Sequence, residues 1–445
     1  MVNWLSNLLF KFFVFCVDFL QISTMSDIFT AVFTGDLKLI KEMATKFNNK
    51  FGEQKAKEIL GAKDSKGRTI LHIAASEGRT LICKYLVGTI KFDVNRTDLM
   101  GYTPLHHAVV EGHFMTSSFL LDHGADPNVT SNAGLTPLHY AAKIGKKDLV
   151  KLLITKGAEV DAPSSSAKGT PLRFATAYSM KEAVKILLEH KANPNYATHP
   201  VLNPLMVAVL EKSVDCVRLL LKHGADPNLG FHGERPLIAA VQEGLIEIMK
   251  CLLKAGANPN ATNFCDLTPI EIAAVEGNLE IVNILFDFTA PIPHIPTWSI
   301  PGIHEYINSR EVKNQRELKA ETRFLEANEN AAQSVRENDY MTAVYWYTEA
   351  VRIKPTDGIM FSNRSFCFIR LNQGNLALSD AKICIRLRQN WAKGYYRAGA
   401  AYMMLQDYQN AVAAFGYACT YEPLNTELRD AYIEALAELK APRNR

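Results

Sequence analysis

The 445 residues carry 49 Lys and Arg against 46 Asp and Glu, a formal net charge of +3. That length exceeds one ordinary core, so two or more domains are expected, and so small a charge without a basic stripe gives no reason to invoke nucleic acid. Hydrophobic residues at 48% and charged residues at 21% describe a folded chain, while eight dispersed cysteines with no CxxC pair fit a reducing compartment better than a zinc site or disulfide framework.

Residues 1–24, MVNWLSNLLFKFFVFCVDFLQIST, form a hydrophobic N-terminal segment interrupted by Lys11 and Asp18. It meets neither the length of a spanning helix nor the layout of a secretory signal. Three readings stay open: an extension upstream of a start at Met25, a membrane anchor through residues 4–20, and a helix packed on the repeats. The first is favoured, so membrane association is not. Residues 25–66 read as a helical pair, with Phe29, Val32 and Leu39 as its first stripe and a polar stretch from Asn48 to Lys55.

From 67 to 286 one unit recurs about seven times. Its clearest copy is GYTPLHHAVVEGHFMTSSFLLDHGADPN, Gly101 to Asn128. Thr103 offers an N-cap hydroxyl, Pro104 fits the first helical position, and Leu105, Ala108 and Val109 start an apolar stripe. Gly124 stops the second helix and Asp126-Pro127-Asn128 turns the chain. Equivalent prolines at 104, 137, 171, 204, 236 and 269 are spaced 33, 34, 33, 32 and 33 residues apart. This period with its TPLH and GADPN blocks resembles the ankyrin repeat, and residues 25–66 then resemble its N-terminal cap. His72, His106 and His139 stand at the H of TPLH, where they are expected to bond neighbouring repeats rather than hold a metal. Arg173 replaces that histidine in repeat four. Asn203 still caps repeat five, but Arg235 cannot cap repeat six, which is expected to be weaker there by about 1 kcal/mol. Met100, Tyr102, His107 and His113 are expected on the variable surface, where they spell no legible partner code.

Residues 287–316 are a proline-rich connector and helix lead-in, with prolines 291, 293, 296 and 301 excluding regular helix before about Gly302. From 317 to 424 the period becomes 34. Ala343, Tyr347, Ala350 and Pro355 recur as Ala377, Ala381, Cys384 and Gln389, then as Ala411, Phe415, Ala418 and Pro423. This resembles three tetratricopeptide repeats (TPRs), followed at 425–445 by a capping helix and tail. The expected fold is therefore all-α, an ankyrin solenoid followed by a three-repeat TPR superhelix.

The TPR resemblance implies a carboxylate-binding groove like those that hold chaperone tails. Its register carries the clamp asparagine onto Asn363 and the clamp lysine and arginine onto Lys393 and Arg397. Those two are four apart and project from one helix face, chemistry suited to carboxylates. In the first repeat, Asn328 and Ala332 stand where the family has a lysine and an asparagine, which removes a cation and a donor. The combined order resembles plant ankyrin–TPR co-chaperone-like proteins. It implies a non-enzymatic cytoplasmic adaptor whose TPR groove takes acidic C-terminal tails of Hsp70 or Hsp90 and whose ankyrin face takes another protein. The alternative is an ankyrin-driven scaffold with no chaperone link, membrane-associated through residues 4–20. No nucleophile elbow, phosphate loop, metal cluster or carboxylate pair suggests catalysis, a metal or a cofactor.

Overall fold

The computed structural model describes residues 27–164, 169–196, 203–230, 233–263 and 265–440, and the hydrophobic segment 1–24 lies outside them. Regular structure among the described residues is helical. The chain divides into two units, one built mainly from residues before Ala290 and the other mainly from Ala290 onward.

The first unit opens with helices at 27–34, Leu37–Phe51 and Glu53–Leu60. This corrects the expected pair. The polar run from Asn48 to Lys55 is helical apart from Gly52, whose φ of +80° breaks it in two. Its polarity marks a solvated face, and the good helix formers of EQKAKEIL outweigh it.

From Ile70 to Phe286 the described residues hold seven short helix pairs, the first Ile70–Ser76 with Thr80–Gly88 and the last Pro269–Val275 with Leu279–Phe286. Helices of seven to nine residues are marginal alone, so stability comes from stacking. Leu105, Ala108 and Val109 are fully buried, as are their counterparts Leu138, Ala141 and Ala142 in the next repeat.

Each TPLH threonine caps its helix with the histidine three residues on. Thr103 donates from its backbone N–H to His106 Nδ1 at 3.2 Å, while its Oγ1 lies 2.9 Å from the same nitrogen. The opposite ring nitrogen reaches the following repeat: His72 Nε2 lies 2.9 Å from Arg96 O, His106 Nε2 3.2 Å from Leu135 O, and His139 Nε2 3.3 Å from Gly169 O. These histidines join repeats, as expected. In repeat seven the buried Glu271 takes the same place, accepting from Thr268 N at 2.9 Å and Thr268 Oγ1 at 2.7 Å. Asn203 caps through Met206 N at 2.8 Å, and Arg235 makes no side-chain cap.

A second ladder runs through the turns. Asn95, Asn128, Asn195 and Asn228 each donate from Nδ2 to a carbonyl of the next turn (Gly124, Gly157, Gly224 and Gly256) at 2.9–3.0 Å. Each also accepts from a backbone N–H two residues further on, at 2.7–2.9 Å. The rung between repeats three and four differs. Asp161 accepts from Asn193 N at 3.1 Å but has no hydrogen to give.

In the second unit a helix at Ile300–Asn308 begins two residues before Gly302, because Pro301 sits in its first turn, where a missing N–H costs nothing. A 27-residue helix, Arg310–Arg336, then runs straight into the first TPR helix pair. Its partner is Tyr340–Ile353, followed by Gly358–Arg370 with Gly374–Leu387, Ala392–Met404 with Tyr408–Tyr421, and the end helix Thr426–Lys440. Ala343, Ala377 and Ala411 are fully buried at the helix crossings, where a larger side chain would separate the backbones. Gly399 marks a close crossing: a Cβ there would lie 2.6 Å from the Phe415 ring.

Candidate peptide-binding groove

The 34-residue step places three first-helix residues at each level of the TPR groove. Leu325, Ile359 and Lys393 share one level, Glu329, Asn363 and Arg397 the next, and Ala332, Phe366 and Ala400 another. Of the residues singled out from sequence, Lys393 and Arg397 are brought together. They line a cleft of about 380 Å³ with Trp391 and Tyr396, and Glu422 and Glu427 line it too. Asn363 and Asn328 are half-buried on the neighbouring first helices and do not line that cleft; their side-chain amides are not engaged by any described residue.

Arg397 is the unusual group. Its guanidinium stacks 4.7 Å from the centre of the Phe366 ring and 5.6 Å from that of Tyr396. Its Nε is buried without a hydrogen-bond partner, and among the described residues no carboxylate pairs with it. Burial lowers its pKa from the ordinary arginine value. Burial, and after it the Arg397 charge, holds Lys393 below the usual lysine value. A desolvated cation attracts an anion far more strongly than a solvated one, which makes this guanidinium a candidate anion contact.

Charged neighbours that look similar in sequence are already paired. Arg364 grips the buried Asp380 through Nε and Nη2, both at 2.7 Å, and reaches Thr348 Oγ1 at 3.1 Å. Arg336 pairs with Glu329 at 2.8 Å. Phe366 escaped the sequence reading, although it lies three residues beyond Asn363 on the same helix face. Arg370 escaped it too; its guanidinium lies 4.6 Å from the Tyr340 ring.

On the ankyrin unit, three of the four residues assigned to the variable surface are spent on bonds within the array. His107 Nε2 lies 3.0 Å from Asp98 Oδ2, Tyr102 Oη 2.8 Å from Tyr140 Oη, and His113 Nε2 2.8 Å from Ser76 O. Met100, 60% exposed at a turn tip, stays open. Among the described residues no group of three or more His, Cys, Asp or Glu is placed to hold a metal, and no helix is long and apolar enough to cross a membrane.

These features define a tandem-repeat protein of stacked helix pairs. The family model for "Ankyrin repeats (3 copies)" matches residues 28–131, 118–198 and 205–293, more than half of the chain. The chain belongs to the ankyrin-repeat family. Its similarity also extends to TPR proteins. It is 33% identical over 105 residues to the Hsp70-Hsp90 organizing protein of Triticum aestivum, covering 24% of this chain and 18% of that one. It is 37% identical over 95 residues to Hsp70-Hsp90 organizing protein 2 of Arabidopsis thaliana, covering 21% and 17%. To Tetratricopeptide repeat protein 28 of Homo sapiens it is 32% identical over 119 residues, covering 27% and 5%. The chain thus spans less than a fifth of the length of each of these relatives. Among solved structures, the ankyrin repeat domain of Bcl-3 is 27% identical, covering 50% of this chain and 99% of that one with a TM-score of 0.46. The human ASB11 ankyrin repeat domain is 30% identical, covering 51% and 100% with a TM-score of 0.45.

Proposed function

We propose that this protein is a non-enzymatic, co-chaperone-like adaptor of the cytoplasm. Its TPR groove binds acidic C-terminal tails of Hsp70 or Hsp90, while its ankyrin array binds a second protein. The observation that carries this reading is the unpaired, largely buried Arg397 guanidinium beside Lys393. A partially desolvated cation that no internal acid pairs with is a standing free-energy cost that an incoming carboxylate removes. Similarity to the organizing proteins, whose names couple Hsp70 with Hsp90, supports the choice of partner. Asn363 and Asn328 each add an unengaged amide on the neighbouring helices. No chemical step is involved; holding two partners at once raises their effective concentration.

The test is calorimetric titration of the full chain with acidic chaperone-tail peptides, for the wild type and for Lys393→Ala with Arg397→Ala. Loss of charge-assisted bonds worth about 1.5–3 kcal/mol predicts binding weakened at least tenfold. Unchanged affinity in the double variant would refute the groove and move partner binding to the ankyrin array.

A further inference from the structure

We infer that the TPR groove reads its ligand at two unlike points: an acidic side chain at Lys393 and Arg397, and an aliphatic side chain on Ile359 and Leu325. The acidic side chains of the ligand then carry the charge contact, and its own C-terminal carboxylate is not required. This inference rests on the peptide-binding reading above.

Leu325, Ile359 and Lys393 stand at one position of three successive first helices, one 34-residue step apart. The third-repeat side of that row is cationic and the other two places are aliphatic. Leu325 is 59% exposed and Ile359 37%, so each leaves apolar surface in water. Leu318, seven residues before Leu325 and on the same helix face, is 70% exposed and prolongs the strip.

A free terminal carboxylate needs charged or multiple donors. The first-repeat side supplies Leu325, Ala332 and one neutral amide, Asn328. Arg336, on the same helix, is spent on Glu329 at 2.8 Å, and Glu329 adds a negative charge that repels an anion. Acid recognition is therefore weakest at the first repeat, where the remaining contact is apolar burial. Packed helices lie roughly 8–10 Å apart and an extended chain rises about 3.3 Å per residue, so each step along the row is worth about three peptide residues.

The test uses the full chain and fluorescein-labelled twelve-residue peptides in a Gly/Ser background. Each carries one Asp-Glu pair, a Leu placed three or six residues to either side, and a free or amidated C-terminus. The expected result is that amidation changes Kd less than twofold. Leu→Ser in the best peptide weakens binding about tenfold, and Asn-Gln in place of Asp-Glu abolishes it. Leu325→Ser with Ile359→Ser, both exposed and tolerable to the fold, removes the preference for the Leu peptide while leaving the Ser peptide unchanged. Asn328→Lys makes binding sensitive to amidation. Binding lost on amidation of the wild type's best peptide, or equal treatment of Leu and Ser peptides, would overturn the inference. Indifference of every peptide to Lys393→Ala with Arg397→Ala would instead overturn the groove reading on which it rests.

Discussion

Replacing Asp161 by Asn should stabilise the ankyrin array. At four other junctions an asparagine donates to the next turn's carbonyl and accepts from its backbone N–H, at 2.7–3.0 Å. At the junction of repeats three and four, Asp161 makes only the accepting half, to Asn193 N. The carbonyl of Lys191 occupies the place of Gly124 and Gly224, and a carboxylate has no N–H to offer it. Restoring the donor is worth about 1 kcal/mol, the net value of one ordinary hydrogen bond. Burial raises the Asp161 pKa above the usual aspartate value, the Asn193 bond opposing it. An acid whose folded pKa is raised favours the protonated folded state. Its contribution is most favourable at low pH and is lost as the pH rises through the folded pKa. The advantage of Asp161→Asn should therefore be full at pH 7 and shrink on acidification through the carboxylate range. Urea unfolding of the full chain followed by circular dichroism at pH 7 and pH 4.5 measures it. A midpoint at pH 7 that is unchanged or lowered would refute the role assigned to the ladder.

Three further outcomes are expected. Lys191 is held at φ +65° where other turns carry glycine, so Lys191→Gly should raise stability by about 1 kcal/mol in the same urea assay; a loss would mean that the lysine side chain contributes more than the strain removes. His72, His106 and His139 are pushed down to about 4 by burial. A base with a depressed folded pKa holds its stability above the ordinary value near 6.5 and loses it as the pH falls toward 4. By pH 5 the loss is on the order of 2 kcal/mol per histidine, and urea midpoints that stay level from pH 7 to 5 would contradict it. Arg364→Ala strands the buried Asp380 and should cost about 3–5 kcal/mol. Arg364→Met with Asp380→Leu should recover much of that in thermal unfolding, and equal damage by the two variants would speak against the ion pair as the cause.

Much of the fold was legible because each repeat is written in residues with one backbone meaning. Proline at a first helical position, threonine before it and glycine after the second helix recur at a fixed step, and the helices fall where those signals place them. The extra helix in the N-terminal cap was hidden because its surface is wet on the outer side. A polar run such as EQKAKEIL reads as loop if hydrophobic periodicity alone is weighed, although its intrinsic propensity is helical. The surface histidines were hidden for another reason. His107 meets Asp98 across a turn and His113 meets Ser76 of the preceding repeat, and such pairings depend on how loops stack.

The groove shows most clearly what a register can and cannot deliver. Counting in steps of 34 puts Lys393 and Arg397 on one face and Asn363 beside them, yet it treats Arg336, Arg364 and Arg397 alike as first-helix arginines. What separates them is the acid each one finds. Arg336 has Glu329 about two turns earlier on its own helix, Arg364 has Asp380 on the paired helix, and Arg397 has the faces of Phe366 and Tyr396. An aromatic ring accepts a guanidinium's face and leaves its edge donors free. The free anion-seeking cation is thus selected by the absence of an acid at contact distance, a property of three dimensions. Among the described residues, the opposite end of the groove lacks such a cation. Where Leu325 and Ala332 stand, no charge is available to be freed, and any contact there must come from apolar surface leaving water.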